Sequence, residues 1–188
     1  SKDLDFVETL CGINCLSLLK LFLPDKLKVA SRDLTNLPLL EAMAETNIPI
    51  ILSTGMSGLS EIHDAVNSIS KFHDKISILH CLSQYPAEYQ NINLKSIYFL
   101  KKEFPNYKIG YSDHTETTWM SPLAVYLGAQ IIEKHLTLDN YLPGPDHKSS
   151  LLPEQFEKMV LLINNISELK QKQEKIDNSK ICKLLEIN

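Results

Sequence analysis

The stretch that decides the fold is Lys108-Ile109-Gly110-Tyr111-Ser112-Asp113-His114-Thr115, followed about twenty residues on by Gln130-Ile131-Ile132-Glu133-Lys134-His135. Each is a short apolar run that ends in a polar cluster carrying a histidine. Working outward, the same pattern recurs upstream. Lys26–Ala30 ends in Ser31-Arg32-Asp33, Ile48–Leu52 in Ser53-Thr54-Gly55, and Ile76–Leu79 in His80-Cys81-Leu82-Ser83. Short β-rich runs alternating with helical patterns read as βα units of a parallel sheet. Ligands collect at the carboxyl ends of such strands, so polar residues repeatedly placed there point to one shared site.

The intervening segments read as helices. Asn36 caps one through about Glu45, with Pro38 in its first turn, and Asn47 suits the turn beyond. Ser57 or Ser60 starts a second helix with an apolar stripe of Leu59, Ile62, Val66 and Ile69. A third covers about Leu94–Glu103 and a fourth about Thr118–Leu127. The longest opens at Leu151-Leu152-Pro153-Glu154 and runs to about Lys175 on a stripe of Phe156, Val160, Ile163 and Ile166. The first two dozen residues read as irregular helix, broken at Gly12 and Pro24. The expected organisation is one α/β domain over residues 1–176 with about five βα units, and a loosely attached tail over residues 177–188. Five units are too few to close an eight-stranded barrel.

Composition narrows the function classes. The 188 residues are 44% hydrophobic and 22% charged, as in a globular domain, and the formal net charge is −4. Basic residues are scattered, which argues against nucleic acid as a partner. No apolar stretch is long enough to span a bilayer, so no membrane partner is expected. Cys11, Cys15, Cys81 and Cys182 form no CxxC pair. A reducing cytoplasm is therefore the expected location, without a structural zinc site.

His114 and His135 end consecutive runs, and paired strands lie about 5 Å apart. Two imidazoles presented from there can hold a divalent ion and leave positions open for substrate and water; the other reading is a pair of hydrogen-bonded structural groups. Asp113 can fix the tautomer of His114 or the local backbone. His80 reads as buried and structural, and His63 and His73 as solvated. Ser31, Ser53, Ser83 and Ser112 can each offer a donor to an anion, or simply cap a turn, while Thr54-Gly55 allows close approach to a ligand. Lys28 either faces inward, where it needs an anionic partner, or points outward and snorkels. The stiff Tyr85-Pro86 and Pro143-Gly144-Pro145-Asp146 loops fall on the same face, where Asp146 can serve a sugar hydroxyl or proton transfer.

Together these pieces resemble the sialic acid synthase family: the N-acetylneuraminate synthases and their legionaminate, pseudaminate and spore-coat-polysaccharide relatives. The matching stretches are Lys28-Val29-Ala30-Ser31, Pro49–Met56, Leu79-His80-Cys81, Tyr85-Pro86, Gly110–Thr115, Glu133-Lys134-His135 and Pro143–Lys148, in the family's order. The resemblance implies a (β/α)8 TIM barrel, here a partial one spanning strands four to eight. It implies condensation of phosphoenolpyruvate with an N-acylated amino sugar such as N-acetylmannosamine, releasing phosphate, with Mn2+ or Mg2+ as cofactor. His114 and His135 would then bind the metal. Lys28, Ser31, Ser53 and Ser112 would hold phosphoenolpyruvate. Tyr85 and Asp146 would position the sugar. Ser83 stands where the family often has asparagine, and Arg32-Asp33 replaces a common Gly-Glu, with Asp33 keeping the carboxylate. Nothing matches the family's first barrel strands or its antifreeze-like domain. That leaves two alternatives: a catalytically incomplete remnant that self-associates or needs a partner chain for the missing barrel half, or a different metal-dependent barrel enzyme such as a hydrolase.

Overall fold

Alternation along each strand sorts the side chains of this chain into two layers. In a computed structural model, which describes residues 4–173, six strands form one sheet in chain order: β1 (Val7–Thr9), β2 (Lys26–Val29), β3 (Ile50–Ser53), β4 (Ile76–Cys81), β5 (Lys108–Asp113) and β6 (Ile132–Lys134). Every neighbouring pair is parallel. Helices α1 (Leu37–Ala44), α2 (Leu59–Ser70), α3 (Lys95–Glu103), α4 (Met120–Tyr126) and α5 (Pro153–Gln173) follow β2 to β6 in turn. The sheet curls into a partial barrel of the TIM type, the expected class with one strand more than expected.

One face of the sheet carries Leu27, Val29, Ile50, Leu52, Ile76, Ile78, Ile109 and Tyr111. These pack with Leu39, Leu40, Met43, Val66, Ile69, Ile97 and Met120 of the helices into one buried core. The alternate positions, Lys28, Ile51, Ser53, Leu79, Cys81, Gly110 and Ser112, are buried or glycine yet lie outside that cluster, on the concave side. Period two therefore gives a dry layer under the helices and a mixed layer inside the curl.

Several element ends differ from expectation. The first segment is the expected irregular helix only between its breaks at Gly12 and Pro24, where Ile13–Lys20 forms a 3-10 helix; before Gly12, Val7–Thr9 is extended. Alternating β-branched Val7 and Thr9 suit a strand. The Phe6 amide donates to Asp25 at 2.7 Å, and Lys26 pairs with Asp5, holding β1 against β2. Asn36 accepts from the Leu39 amide at 3.4 Å, as expected of a cap. The second helix is capped at Gly58, not at a serine, because the Glu61 carboxylate accepts the Gly58 amide at 2.6 Å. Ladder contact at the last strand begins at Gln130, whose amide donates to Ile109 at 2.7 Å, although regular strand begins at Ile132. On α5, Phe156, Ile163 and Ile166 are half-buried as the expected stripe requires, but Met159 is buried in place of the expected Val160, which is 39% exposed. The tail expected from residue 177 lies outside the described residues.

Candidate active site

The concave layer places a buried ion pair at its centre. Lys28 on β2 is 6% exposed and faces inward, so the outward, snorkelling alternative does not hold. Its Nζ donates to Ser53 Oγ on β3 at 2.7 Å and to the Val29 carbonyl at 3.2 Å, and lies 3.5 Å from Glu133 Oε2 on β6. A lysine taken out of water needs such a partner. Glu133 Oε1 in turn accepts from Ser112 Oγ on β5 at 2.7 Å, and Ser112 Oγ lies 3.3 Å from His114 Nε2. One polar chain thus runs Ser53–Lys28–Glu133–Ser112–His114 across the strands.

Around it is a cavity of about 380 Å3, lined by Lys28, Ser31, Arg32, Ser53, Met56, Cys81, Ser83, Tyr85, Ser112, His114 and Glu133. Gly55 keeps its edge open. The Gly55 amide donates to Ser31 Oγ at 3.1 Å, and a Cβ there would stand 2.6 Å from Ser83 Oγ, 3.0 Å from Ser31 Oγ and 3.1 Å from Cys81 Sγ. Only glycine lets these three groups converge.

The Nδ1–H of His114 donates to the Leu82 carbonyl at 2.7 Å, a tautomer that leaves Nε2 as a lone pair toward the cavity. Burial, first of all, pushes the His114 pKa below its ordinary value and keeps the ring neutral, the form a metal requires. The His135 ring centroid is 5.5 Å away. Tyr85 stacks on His114 at 3.9 Å and meets His135 edge-on at 5.8 Å. Burial first of all, and then the neighbouring Cys81, Asp146 and Glu133, push the Tyr85 phenol up to about 12, so it stays a hydrogen-bond donor. Burial also raises the Cys81 thiol, which sits 3.9 Å from His114. Two nitrogen ligands can therefore be offered to a cation; among the described residues no three His, Cys, Asp or Glu side chains converge into a fuller set.

Lys28, Ser31, Ser53, Ser83, Tyr85, Ser112 and His114 are thus gathered at one mouth, with His135 against two of them. Asp33 and Asp146 do not line the cavity. Asp33 pairs with Arg32 at 3.4 Å, and it is Arg32 that faces the cavity; Asp146 sits exposed on its loop, near enough for its charge to act on Tyr85. Asp113 does not fix the His114 tautomer. It braces the backbone, accepting from the Thr115 amide at 2.8 Å and Ser121 Oγ at 2.7 Å, and it pairs with Lys134 at 3.3 Å. His80 is structural, with Nε2 donating to the Ile92 carbonyl at 2.7 Å. His63 is not simply solvated, since it pairs with Glu103 at 2.8 Å, and His73 Nε2 is buried without a partner. Glu133, Cys81, Arg32 and Met56 are the site residues the sequence reading missed. Glu133 had a signal, because two residues before His135 on a strand is the same face.

Fold and site together define a TIM-type partial barrel with a polar-lined cavity and two imidazoles at the carboxyl ends of its strands. The chain belongs to the NeuB family, whose model matches residues 1–175. It is 42% identical over 145 residues to N,N'-diacetyllegionaminic acid synthase of Legionella pneumophila, covering 74% of this chain and 40% of that protein. The spore coat polysaccharide biosynthesis protein SpsE of Bacillus subtilis has a solved structure that superposes with a TM-score of 0.86 at 40% identity, over 91% of this chain and 49% of that one. A sialic acid synthetase structure from Leptospira borgpetersenii superposes at 0.82 with 38% identity, over 86% of this chain and 56% of that one. A truncated 3-deoxy-D-arabino-heptulosonate 7-phosphate synthase from Thermotoga maritima, 17% identical with a TM-score of 0.75, shares the fold. The chain spans about half the length of the curated relatives it matches.

Proposed function

We propose that this chain is the phosphoenolpyruvate- and metal-binding part of a synthase that joins phosphoenolpyruvate to an N-acylated amino sugar such as N-acetylmannosamine, releasing phosphate. The observation that carries the reading is the Ser53–Lys28–Glu133–Ser112–His114 chain at one cavity, with His135 beside it. Lys28 supplies the fixed positive charge for a phosphate or carboxylate. Ser31, Ser53 and Ser83 supply hydroxyls whose protons are free to meet it, while Ser112 would turn from Glu133 to do so. Glu133 holds the Lys28 ammonium and orients the Ser112 hydroxyl, so both keep their direction when the cavity is empty of substrate. The neutral, oriented imidazole of His114, with His135, fits a divalent ion, Mn2+ or Mg2+. Such an ion, when bound, would polarise the sugar aldehyde as a Lewis acid. Tyr85, held protonated on the face of His114, is placed to donate to the sugar. Asp146, on its loop, and Asp33, at the end of the 3-10 turn Ser31–Asp33, are the carboxylates left for sugar hydroxyls and proton transfer. The domain is taken to run over residues 1–176 and to work in the cytoplasm; among the described residues no helix is long and apolar enough to cross a membrane.

A second reading rests on the sheet. β1 and β6 each have one strand neighbour among the described residues, and such edges invite pairing. In that reading the chain binds its ligands but turns over only with a further segment, in a homo-oligomer or beside a chain that completes the barrel. One experiment separates the two. Mn2+ binding is followed by electron paramagnetic resonance, and phosphate release is followed with Mn2+, phosphoenolpyruvate and N-acetylmannosamine. The leading reading expects both, with Mn2+ binding lost in His114→Ala and His135→Ala while circular dichroism is unchanged. Mn2+ and phosphoenolpyruvate binding without turnover supports the second. Unchanged Mn2+ affinity in both variants would remove the histidines as ligands.

A further inference from the structure

Behind one wall of the candidate active site, α2 and α3 leave a second cleft of about 290 Å3 between them. Leu59, Ile62, Phe99 and Leu100 give it an apolar side, and Ser57, His80 and Ser96 a polar one. No charged side chain lines it. Small-molecule sites have this make-up, a concave and mostly apolar wall with a few placed polar groups, in volumes from roughly 300 Å3 upward. Two of the polar groups here lack a partner. Ser57 Oγ is shut off from water and makes no hydrogen bond among the described residues, which costs free energy that a guest could recover. Because Ser57 lines the cleft, a turn about its Cα–Cβ bond offers the hydroxyl to such a guest. The His80 Nε2–H donates to the Ile92 carbonyl at 2.7 Å, which leaves Nδ1 with a lone pair. Burial holds the His80 pKa below its ordinary value, so the ring is neutral.

These groups fix the class of the guest. A hydroxyl can donate to the His80 lone pair and accept from Ser57 or Ser96, while a ring or short branched chain covers the apolar side. An anion finds no cation in the lining. The head of α2 already has its carboxylate as well, since Glu61 accepts the Gly58 amide at 2.6 Å. The cleft is also tied to the neighbouring cavity. Cys81 lines both, with its Sγ 3.9 Å from His114 Nδ1, and Gly55, which lines the cleft, donates its amide to Ser31 Oγ at 3.1 Å. We infer that this cleft is a second ligand site, for a small uncharged molecule with an apolar body and one hydroxyl, and that its occupancy is transmitted to the candidate active site through Cys81 and Gly55.

Phenol is the probe, with toluene lacking the hydroxyl and benzoate carrying a charge. The 188-residue protein is titrated with each, reading saturation-transfer NMR of the probe protons and the ring 15N signals of His80 and His114. Those signals are assigned with His80→Gln and His114→Ala. The expected result is saturable phenol binding, about three- to tenfold weaker binding of toluene and at least about tenfold weaker binding of benzoate. The His80 Nδ1 signal should move as it accepts a hydrogen bond, and the His114 signals should move in step. Ser57→Ala should weaken phenol by about three- to tenfold and leave the urea midpoint level or higher, since it removes an unpaired buried hydroxyl. A midpoint lowered by Ser57→Ala would make that hydroxyl structural and overturn its role in the site. Phenol that does not saturate, an unmoved His80 signal, or equal affinity for the three probes overturns the site as a whole. Phenol binding that moves His80 and leaves His114 unmoved overturns the transmission through Cys81.

Discussion

Lys28 holds a full charge almost out of water, and its three contacts are unequal in kind. Ser53 and the Val29 carbonyl are neutral acceptors, whereas Glu133 is a carboxylate whose side chain is 41% exposed. Removing the lysine therefore leaves a glutamate that water and Ser112 can still satisfy, so the fold should tolerate the loss. Lys28→Met keeps most of the volume and deletes the charge. Phosphoenolpyruvate affinity, by calorimetric titration in Mn2+, should fall by about ten- to a hundredfold, because a charged donor to an anion is worth roughly 1.5–3 kcal/mol. The urea midpoint should move little. An unchanged affinity would take Lys28 out of the anion site. The residues on strands were the legible ones: Lys28, Ser53, Ser112 and His114 follow from where an apolar run stops. Asp146 was placed by proximity along the chain and Asp33 by its likeness to the family's Gly-Glu, and neither a loop's path nor which of Arg32 and Asp33 turns inward is written in residue type. Glu133 was passed over because it reads as part of a charged Glu-Lys-His cluster; only the alternation back from His135 separates it from Lys134, which turns away to Asp113.

β5 is the strand on which the curl depends, and Gly110 is its tightest point. Its register neighbour on β4 is Leu79. A Cβ there would stand 2.5 Å from the Ile131 carbonyl and from Leu79 Cδ2, and 2.8 Å from Ile131 Cβ. The first of these is backbone, which cannot swing aside. Gly110→Ala should thus push β5 from the segment that leads into β6 and cost about 1–3 kcal/mol as overpacking, read as a lower denaturant midpoint. A loss below about 0.5 kcal/mol, the scale of an ordinary surface change, would show that the strands can slide to admit a methyl. The sequence announces β2 to β5 through runs of four to six residues, and β6, only three residues long, through the Glu-Lys-His cluster at its end; those were found. β1 escaped because it is three residues long, partly exposed, and followed at once by Gly12 and a 3-10 turn. A pattern of three residues has too few alternations to show a period. Its place is set by tertiary contacts, the Asp25 and Asp5 pairings with the start of β2, which no local reading supplies.

The balance of protons over the whole fold gives the chain an acid weakness. His73, His80 and His114 all have pKa values pushed below the ordinary 6.5, in each case with burial as the leading cause. The folded protein therefore holds these rings neutral in a range where the unfolded chain has begun to protonate them. Between each folded value and about 6.5 the unfolded state binds more protons, so stability rises with pH and is lost as pH falls through that window. Above about 6.5 both states are neutral and the term is flat. Each ring can contribute up to about 1.4 kcal/mol per pH unit inside its window. His80 is the cleanest probe, since it faces the helix layer, stacks on Tyr111 at 5.8 Å and donates to Ile92, away from the cavity. The urea midpoint should drop between pH 7.5 and pH 5.5, and His80→Gln, which keeps a donor but cannot titrate, should drop by less. A midpoint that holds or rises on acidification would mean that the rings are already protonated inside the fold. A drop of equal size in the variant would place the acid response elsewhere among the buried histidines. The same measurement bears on the open sheet. If another strand layer closes over β1 and β6, the effect should survive at His80, because that ring is held by the Ile92 carbonyl and by Tyr111 of β5 in its own chain and owes nothing to the sheet's edges.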